Sequence, residues 1–200
     1  CRYKIFYVRL SIMKNLKTIA LALLVAFGTT VATAQNKKIN VEKSKINWVG
    51  KKLTGEHSGT IAFKEGTLVF TKNKLKGGSF VVDMNSINTT DLTGDYKKNL
   101  DGHLKADDFF GVEKHPTAKL DFKLISDNGD GTYNVTADLT IKGITKPITF
   151  VIAVKGKTAI AKLNVDRTKY DIKYKSKNFF ENLGDNVIND EFELTVNLQF

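Results

Sequence analysis

Apolar and polar residues alternate strictly over long stretches of this chain, and this pattern limits the chain to antiparallel β-structure. Over 192–200 every second residue is apolar and the residues between them are polar. The same pattern recurs over 118–124 and 133–141, and it predicts that Leu124 and Leu139 point inward. A period of two residues is typical of a strand with one buried and one solvated face. We therefore expect long antiparallel strands, since parallel strands are usually buried on both faces.

Six shorter strands complete this prediction and are separated by turn residues. We place them at about 44–52, 59–64, 67–71, 80–84, 148–154 and 159–165, with turns at 64–66, 72–74, 127–131 and 155–157. Strands joined by such short turns form a meander. Closing a meander into a barrel removes its exposed edges. We therefore predict an all-β fold, a closed antiparallel β-barrel of about eight strands.

One stretch, 91–111, breaks the period of two. Leu100 and Leu104 follow helical spacing there, and the apolar pair Phe109–Phe110 comes next. A short helix is therefore predicted to cross one mouth of the barrel. The polar segment 178–186 is too long for a tight hairpin, and we expect it to flank the same opening.

The N-terminal part carries the three features of an export signal. Lys14 and Lys17 precede the apolar run 18–27, and the small residues Ala32 and Ala34 follow it. This order predicts cleavage after Ala34. The apolar run is too short for a transmembrane anchor, which needs about 20 apolar residues. The sequence therefore predicts a periplasmic or secreted protein.

Such processing defines the domain organisation and the composition of the mature chain. We interpret 1–12 as an upstream extension, 13–34 as a signal peptide and 35–200 as one domain. Cleavage removes five of the 31 basic residues and none of the 21 acidic ones, so the net charge falls from +10 to +5. It also removes Cys1, the only cysteine, which excludes disulfides and thiolate metal sites. Clusters of basic and aromatic residues are missing, so we expect no nucleic-acid binding.

The sequence offers little support for catalysis or metal binding. The three histidines, His57, His103 and His115, do not have the spacing of a known metal motif. Segment 127–131 resembles a calcium loop, but only Asp127 places a carboxylate at a ligand position, so a hairpin turn is predicted. The sequence contains no nucleophile elbow, phosphate loop or HExxH element. We therefore predict no enzymatic activity, no metal and no cofactor.

Several short segments occur along the chain in a specific order and spacing. They are Trp48, 55–59 (Gly-Glu-His-Ser-Gly), Asp83, Ser86–Ile87, His103–Leu104, 107–110 (Asp-Asp-Phe-Phe), His115–Pro116, 139–147, Arg167, Gly184–Asp185 and 188–192 (Ile-Asn-Asp-Glu-Phe). Together they resemble the YceI family of exported bacterial lipid-binding proteins, over essentially the whole mature chain. The resemblance implies a lipocalin-like barrel with an elongated apolar pocket for a polyisoprenoid or fatty-amide-type amphiphile. It also implies a carrier or sequestering protein without turnover.

The resemblance makes the inward apolar residues candidate ligand contacts. Periodicity alone does not decide this, because an eight-stranded barrel holds either its own side chains or one small ligand. The candidate ligand-binding residues are Trp48, Phe63, Phe70, Phe80, Val82, Phe109, Leu120, Phe122, Leu139, Ile141, Phe150 and Phe192. Lysine and arginine at the rim could pair with a pyrophosphate head group. Family members often have glycine where Asp171 stands, in the turn after Arg167.

Two alternatives to a lipid carrier remain open at this point. A lipid-modifying enzyme would use one of the three histidines as a base, and an envelope interaction protein would have a filled barrel. Histidines that converge in a cavity favour the enzyme, whereas a cavity longer than a few side chains favours the carrier. The expected partner is a lipid or isoprenoid molecule, and a dimer is compatible with the sequence.

We predict that the mature protein begins at Gln35, because the small residues Ala32 and Ala34 form the cleavage site after the apolar run. Intact-mass measurement of protein from the periplasmic or secreted fraction checks this. A product that retains Met13 would contradict both the cleavage and the predicted location.

Overall fold

The computed structural model of the chain describes residues 33–200. The predicted extension 1–12 and the signal peptide 13–34, apart from its last two residues, lie outside the described residues. Within 33–200, no helix has the length and apolar character needed to cross a bilayer.

The described residues form nine strands, one α-helix and two short 3-10 helices. The strands are β1 (Gln35–Lys38), β2 (Lys45–Lys52), β3 (Gly55–Thr71), β4 (Lys74–Thr89), β5 (Thr117–Asp127), β6 (Thr132–Ile141), β7 (Ile144–Lys155), β8 (Thr158–Asp166) and β9 (Ile188–Gln199). The helix α1 (Gly94–Lys105) connects β4 to β5, and the 3-10 helices are Arg167–Tyr170 and Gly184–Asn186.

The strands close into a ring of antiparallel pairs. From β2 to β9, each strand pairs with the next strand in sequence. Strand β9 also pairs with β2, and this pair closes the barrel. Strand β1 lies outside this ring of eight and pairs with 67–70 of β3, whereas β2 pairs with 55–61. The predicted closed antiparallel β-barrel with one short helix is confirmed.

Alternation sets the inward face of most strands. On β6, the five residues Tyr133, Val135, Ala137, Leu139 and Ile141 are all buried, as predicted. Each strand thus contributes every second side chain to the interior.

The prediction that Leu124 points inward is wrong. A bulge in β5 lies between Phe122 and Leu124, and the side chain of Leu124 is 69% exposed. Ile125 packs against the core instead. One extra residue in a strand moves every following side chain to the other face, which explains the change.

The turn predicted at 64–66 is also absent from the described structure. Strand β3 continues through it for 17 residues, with register shifts between Thr60 and Ala62 and between Phe63 and Glu65. Gly66 lies so close to the ring of Phe80 that a Cβ atom on residue 66 would be 2.5 Å from it. This glycine therefore makes room for an aromatic side chain in a strand.

The two ends of the barrel are built differently. At the end where β3 turns into β4, the interior is filled by rings in contact, with centroid distances of 5.9 Å for Phe63–Phe80, 5.6 Å for Phe80–Phe122 and 5.7 Å for Phe122–Phe150. We call this the closed end. At the opposite end, β2 ends and β9 begins, and the long connections 90–116 and 167–187 lie there. We call it the cavity end.

The turn after Arg167 keeps the glycine-like conformation without glycine. Asp171 has φ 60° and ψ 31°, which is the left-handed region. The N–H groups of Asp171 and Ile172 donate to the carbonyls of Thr168 and Arg167, each at 3.2 Å. Aspartate tolerates this region better than most residues, so the departure from the family pattern leaves the turn intact.

Replacing Asp171 with glycine should stabilise the protein by about 0.5 kcal/mol, because the left-handed strain is relieved and the greater freedom of unfolded glycine offsets only part of the gain. The ion pair of Asp171 with Lys173 is exposed and contributes little. Urea unfolding of Asp171→Gly and Asp171→Ala provides the measurement. A glycine variant less stable than the alanine variant would refute this explanation.

Gly59 is a close-approach position in the wall of the cavity end. It pairs with Trp48 across β2 and β3, and a Cβ atom on it would lie 2.1 Å from the carbonyl oxygen of Asn88 and 2.5 Å from the indole ring of Trp48. Backbone cannot move aside as a flexible side chain does. The absence of a side chain at Gly59 therefore sets where the indole lies.

We expect Gly59→Ala to lower the free energy of unfolding by about 2 kcal/mol or more, as overpacking does. The matched control is Gly50→Ala on the neighbouring strand, where no atom lies within 4 Å of the added carbon. Urea midpoints measure both. Equal midpoints would mean that the close approach has no energetic weight.

Candidate functional site

A cavity occupies the interior of the barrel at the cavity end. The volume that the centre of a water molecule can reach is about 150 Å³. All empty space in the cavity, including its open mouth, amounts to about 900 Å³. The lining residues are Ile46, Trp48, Gly50, Ile61, Val82, Met84, Ile87, Leu104, Phe109, Phe110, Ala118, Leu139, Ile141, Arg167, Ile188, Asn189, Glu191, Phe192 and Leu194. All but Arg167, Asn189 and Glu191 are apolar or glycine, so the wall is suited to a hydrocarbon.

Half of the candidate ligand-binding residues lie on this cavity. They are Trp48, Val82, Phe109, Leu139, Ile141 and Phe192. The other six, Phe63, Phe70, Phe80, Leu120, Phe122 and Phe150, are not among the lining residues and pack in the core. Their contact with a ligand stays a prediction in both cases.

The other 13 lining residues were not among the predicted ligand contacts, and four of them illustrate why. Gly50 and Ala118 continue the inward phase of β2 and β5, so alternation could have identified them. Arg167 and Ile188 lie at the ends of the long connection 167–187, where no periodic pattern signals a direction. Only the closed barrel brings these residues to one wall.

The barrel wall is loosened between β2 and β9. Gly50 pairs with Phe192 and Lys52 with Ile188, so a step of two residues on β2 faces a step of four on β9. Gly50 has nothing within 4 Å of the position of a Cβ atom. Asn189 and Glu191, which lie in the longer step, line the cavity. The irregular pairing of β2 and β9 therefore forms part of the cavity wall.

Aromatic side chains connect the two long connections over the mouth. Ring centroids lie 4.5 Å apart for His103 and Tyr174, 5.6 Å for His103 and Phe109, and 5.3 Å for Phe109 and Phe110. Phe110 in turn lies 6.1 Å from Phe192 of β9. This row joins the α1 segment to 167–187 and covers one side of the opening. The predicted position of Phe109–Phe110 beside the mouth agrees with it.

Arg167 is the one buried arginine of the described residues, and it lies between the cavity and the connection 167–187. Its Nε donates to the Asn189 carbonyl at 3.0 Å, Nη1 to Ile172 at 2.8 Å and Nη2 to Ile188 at 3.0 Å. Nη2 also lies 3.5 Å from Oδ1 of Asp190. Burial lowers the pKa of Arg167, and Asp190 opposes that shift. The group is charged at neutral pH all the same, since arginine starts far above it.

The three histidines lie outside the cavity lining, and the ring of His103 packs against Phe109, which belongs to it. Nδ1 of His57 lies 2.8 Å from Asp91, and Nε2 of His103 lies 3.1 Å from Asp108. His115 lies beside Gly143, the turn between β6 and β7. None of the three is a lining residue. In residues 33–200, no group of three or more His, Cys, Asp or Glu side chains is placed to hold a metal.

The fold matches solved structures over most of its length. The crystal structure of BcnA from Burkholderia cenocepacia superimposes with a TM-score of 0.62 at 21% identity, covering 80% of this chain and 98% of that one. The structure described as a polyisoprenoid binding domain from Saccharophagus degradans gives a TM-score of 0.54 at 16% identity, covering 83% and 97%. At these identities the likeness extends to the fold alone.

Curated relatives and a family profile agree with the fold. A UPF0312 protein of Shewanella denitrificans is 35% identical over 85 residues, 42% of each chain. One from Pseudomonas putida is 33% identical over 98 residues, 49% of each chain. The matched part of this chain therefore spans about half the length of these relatives or less. The profile of the YceI-like domain matches residues 38–200, and the chain belongs to this family.

Proposed function

We propose that this chain is an exported binding protein that holds the hydrocarbon tail of one amphiphilic lipid, of polyisoprenoid or fatty-amide type, in the cavity without turnover. The observation that carries the proposal is the apolar wall of the cavity, in which 16 of 19 lining residues are apolar or glycine. Burial of apolar surface contributes about 25 cal/mol per Å², so a tail placed there is strongly favoured.

The shape of the interior favours a single tail that enters from the cavity end. Rings from Phe63 to Phe150 fill the closed end, so the tail has no passage through the barrel. The volume open to the centre of a water molecule, about 150 Å³, is below the range of about 300–1,000 Å³ of drug-sized ligand sites, so the space suits one narrow chain and not a bulky ligand. The structural likeness to a polyisoprenoid binding domain supports an isoprenoid as one tail class.

The alternatives have less support. A lipid-modifying enzyme would need a base at the tail or head of the lipid, but none of the three histidines lines the cavity, and His57 and His103 face the carboxylates of Asp91 and Asp108. An interaction protein with a filled barrel would lack the empty cavity end. A binding role uses the cavity as it stands.

Filling the cavity from the wall should remove the lipid without unfolding the protein. In Gly50→Leu the new side chain starts on the inward face of β2, where no atom lies within 4 Å of its Cβ. We expect co-purified lipid to fall at least about fivefold, because the side chain takes the place of the tail. Native mass spectrometry and organic extraction measure the occupancy.

The matched control is Gly102→Leu. Gly102 lies on the exposed side of α1 and also has nothing within 4 Å of its Cβ position, but it does not line the cavity. Its occupancy should stay within about twofold of the parent, as for other surface changes. Equal occupancy in Gly50→Leu and Gly102→Leu, at unchanged melting temperatures, would reject the cavity as the lipid site.

A further inference from the structure

Arg167 is the only cation on the cavity wall of the described residues, and its hydrogen bonds are already used. Arginine has five N–H donors. The guanidinium donates to the carbonyls of Ile172, Ile188 and Asn189, and Nη2 also faces Asp190. One N–H of Nη1 is left over by this count. A phosphate normally takes two parallel N–H bonds from the planar guanidinium of arginine, and Arg167 does not have two to offer.

The charge of Arg167 is compensated as well. The side chain of Asp190 on β9 is 16% exposed, and its Oδ1 is 3.5 Å from Nη2 of Arg167. Its other oxygen accepts a 2.6 Å hydrogen bond from Asn178, which holds the carboxylate in place. A phosphate brought to this point would meet a fixed negative charge. It would also have to displace buried carbonyls from the guanidinium, which leaves them unpaired.

Other cations do not replace Arg167 on this wall. Among the described residues, no lysine lines the cavity, and the remaining polar lining residues are Asn189 and Glu191. The sequence suggested that lysine and arginine at the rim pair with a pyrophosphate. The cavity wall has one such cation, Arg167, and its guanidinium is already hydrogen-bonded to the protein. The polar end of the cavity therefore offers one spare N–H of Arg167 and the amide of Asn189, next to the carboxylate of Glu191.

We propose that the site selects amphiphiles with an uncharged, oxygen-bearing head group, such as an alcohol, ketone or amide, and discriminates against diphosphates with the same tail. This inference rests on the proposed function and adds the head-group class to it. The discrimination arises from Arg167 and Asp190 together. The compensated charge of Arg167, its single spare N–H and the carboxylate of Glu191 favour a neutral acceptor over an anion.

Two ligands with one tail test this directly. Farnesol and farnesyl diphosphate share the isoprenoid chain and differ in the head group. Trp48 is the only tryptophan of the chain and lines the cavity, so its fluorescence reports entry of either ligand. We expect the dissociation constant of farnesol to be at least about tenfold below that of farnesyl diphosphate at low salt.

A variant tests the origin of the preference. Asp190→Asn removes the compensating charge, so the affinity for farnesyl diphosphate should rise at least about threefold while that for farnesol stays within about twofold. The control is Glu193→Gln on the same strand, since Glu193 pairs with Lys51 and does not line the cavity. It should leave the ratio of the two dissociation constants unchanged. Melting temperatures verify that both variants fold.

The outcomes distinguish a failure of the head-group inference from a failure of the proposed binding function. Equal binding of the two ligands, or tighter binding of the diphosphate, by the parent protein would overturn the head-group inference and leave the binding function standing. Absence of any response to both ligands, together with absence of co-purified lipid, would overturn the proposed function itself. An Asp190→Asn variant that folds and keeps the parent ratio would remove Asp190 as the cause and overturn the inference in this form.

Discussion

The ring of backbone hydrogen bonds between eight antiparallel strands is the constraint on which the other features of this structure depend. Once β9 pairs with β2, each of the eight strands β2 to β9 has two neighbours in the ring, and its side chains alternate between solvent and interior. Inward residues then share one enclosed volume, and their summed size decides whether it is filled. At the closed end, Phe63, Phe80, Phe122 and Phe150 fill it. At the cavity end, Gly50 and Ala118 occupy equivalent inward positions and leave it open.

Arg167 satisfies backbone carbonyls at the point where the barrel closes. The connection 167–187 returns to β9 at a point where β9 and β2 are out of step, and backbone carbonyls of both segments accept hydrogen bonds from a side chain there. The guanidinium of Arg167 takes up those of Ile172, Ile188 and Asn189 and is balanced by Asp190. A buried charge of this kind is costly to leave unpaired. The same group therefore supports the backbone of the mouth and gives the cavity its polar end.

Within the cover of the mouth, helix α1 makes few buried apolar contacts, and Leu104 is its one residue that packs against the core. Helix α1 has no buried residue, and polar bonds hold it to β4, with Asp101 accepting from the Thr89 N–H at 2.7 Å and Lys97 donating to Asn88 at 2.7 Å. Segments with few buried apolar contacts open at lower free energy than the core. We therefore expect α1 to open at lower free energy than the barrel strands, which would give a ligand access to the mouth.

The sequence by itself determined the fold class, because alternation specifies which side chains face inward and short turns specify antiparallel pairing. It also placed Leu139 and Ile141 correctly on the inner face. It could not place Leu124, since one bulge reverses the faces, nor distinguish Phe80 from Val82, which lie on the same face of β4. A period of two gives the direction of a side chain and carries no information on how much volume the other seven strands fill at the same level of the barrel. The tertiary structure alone decided where the cavity lies and that Arg167 forms its polar end, because both depend on residues brought together from distant parts of the chain.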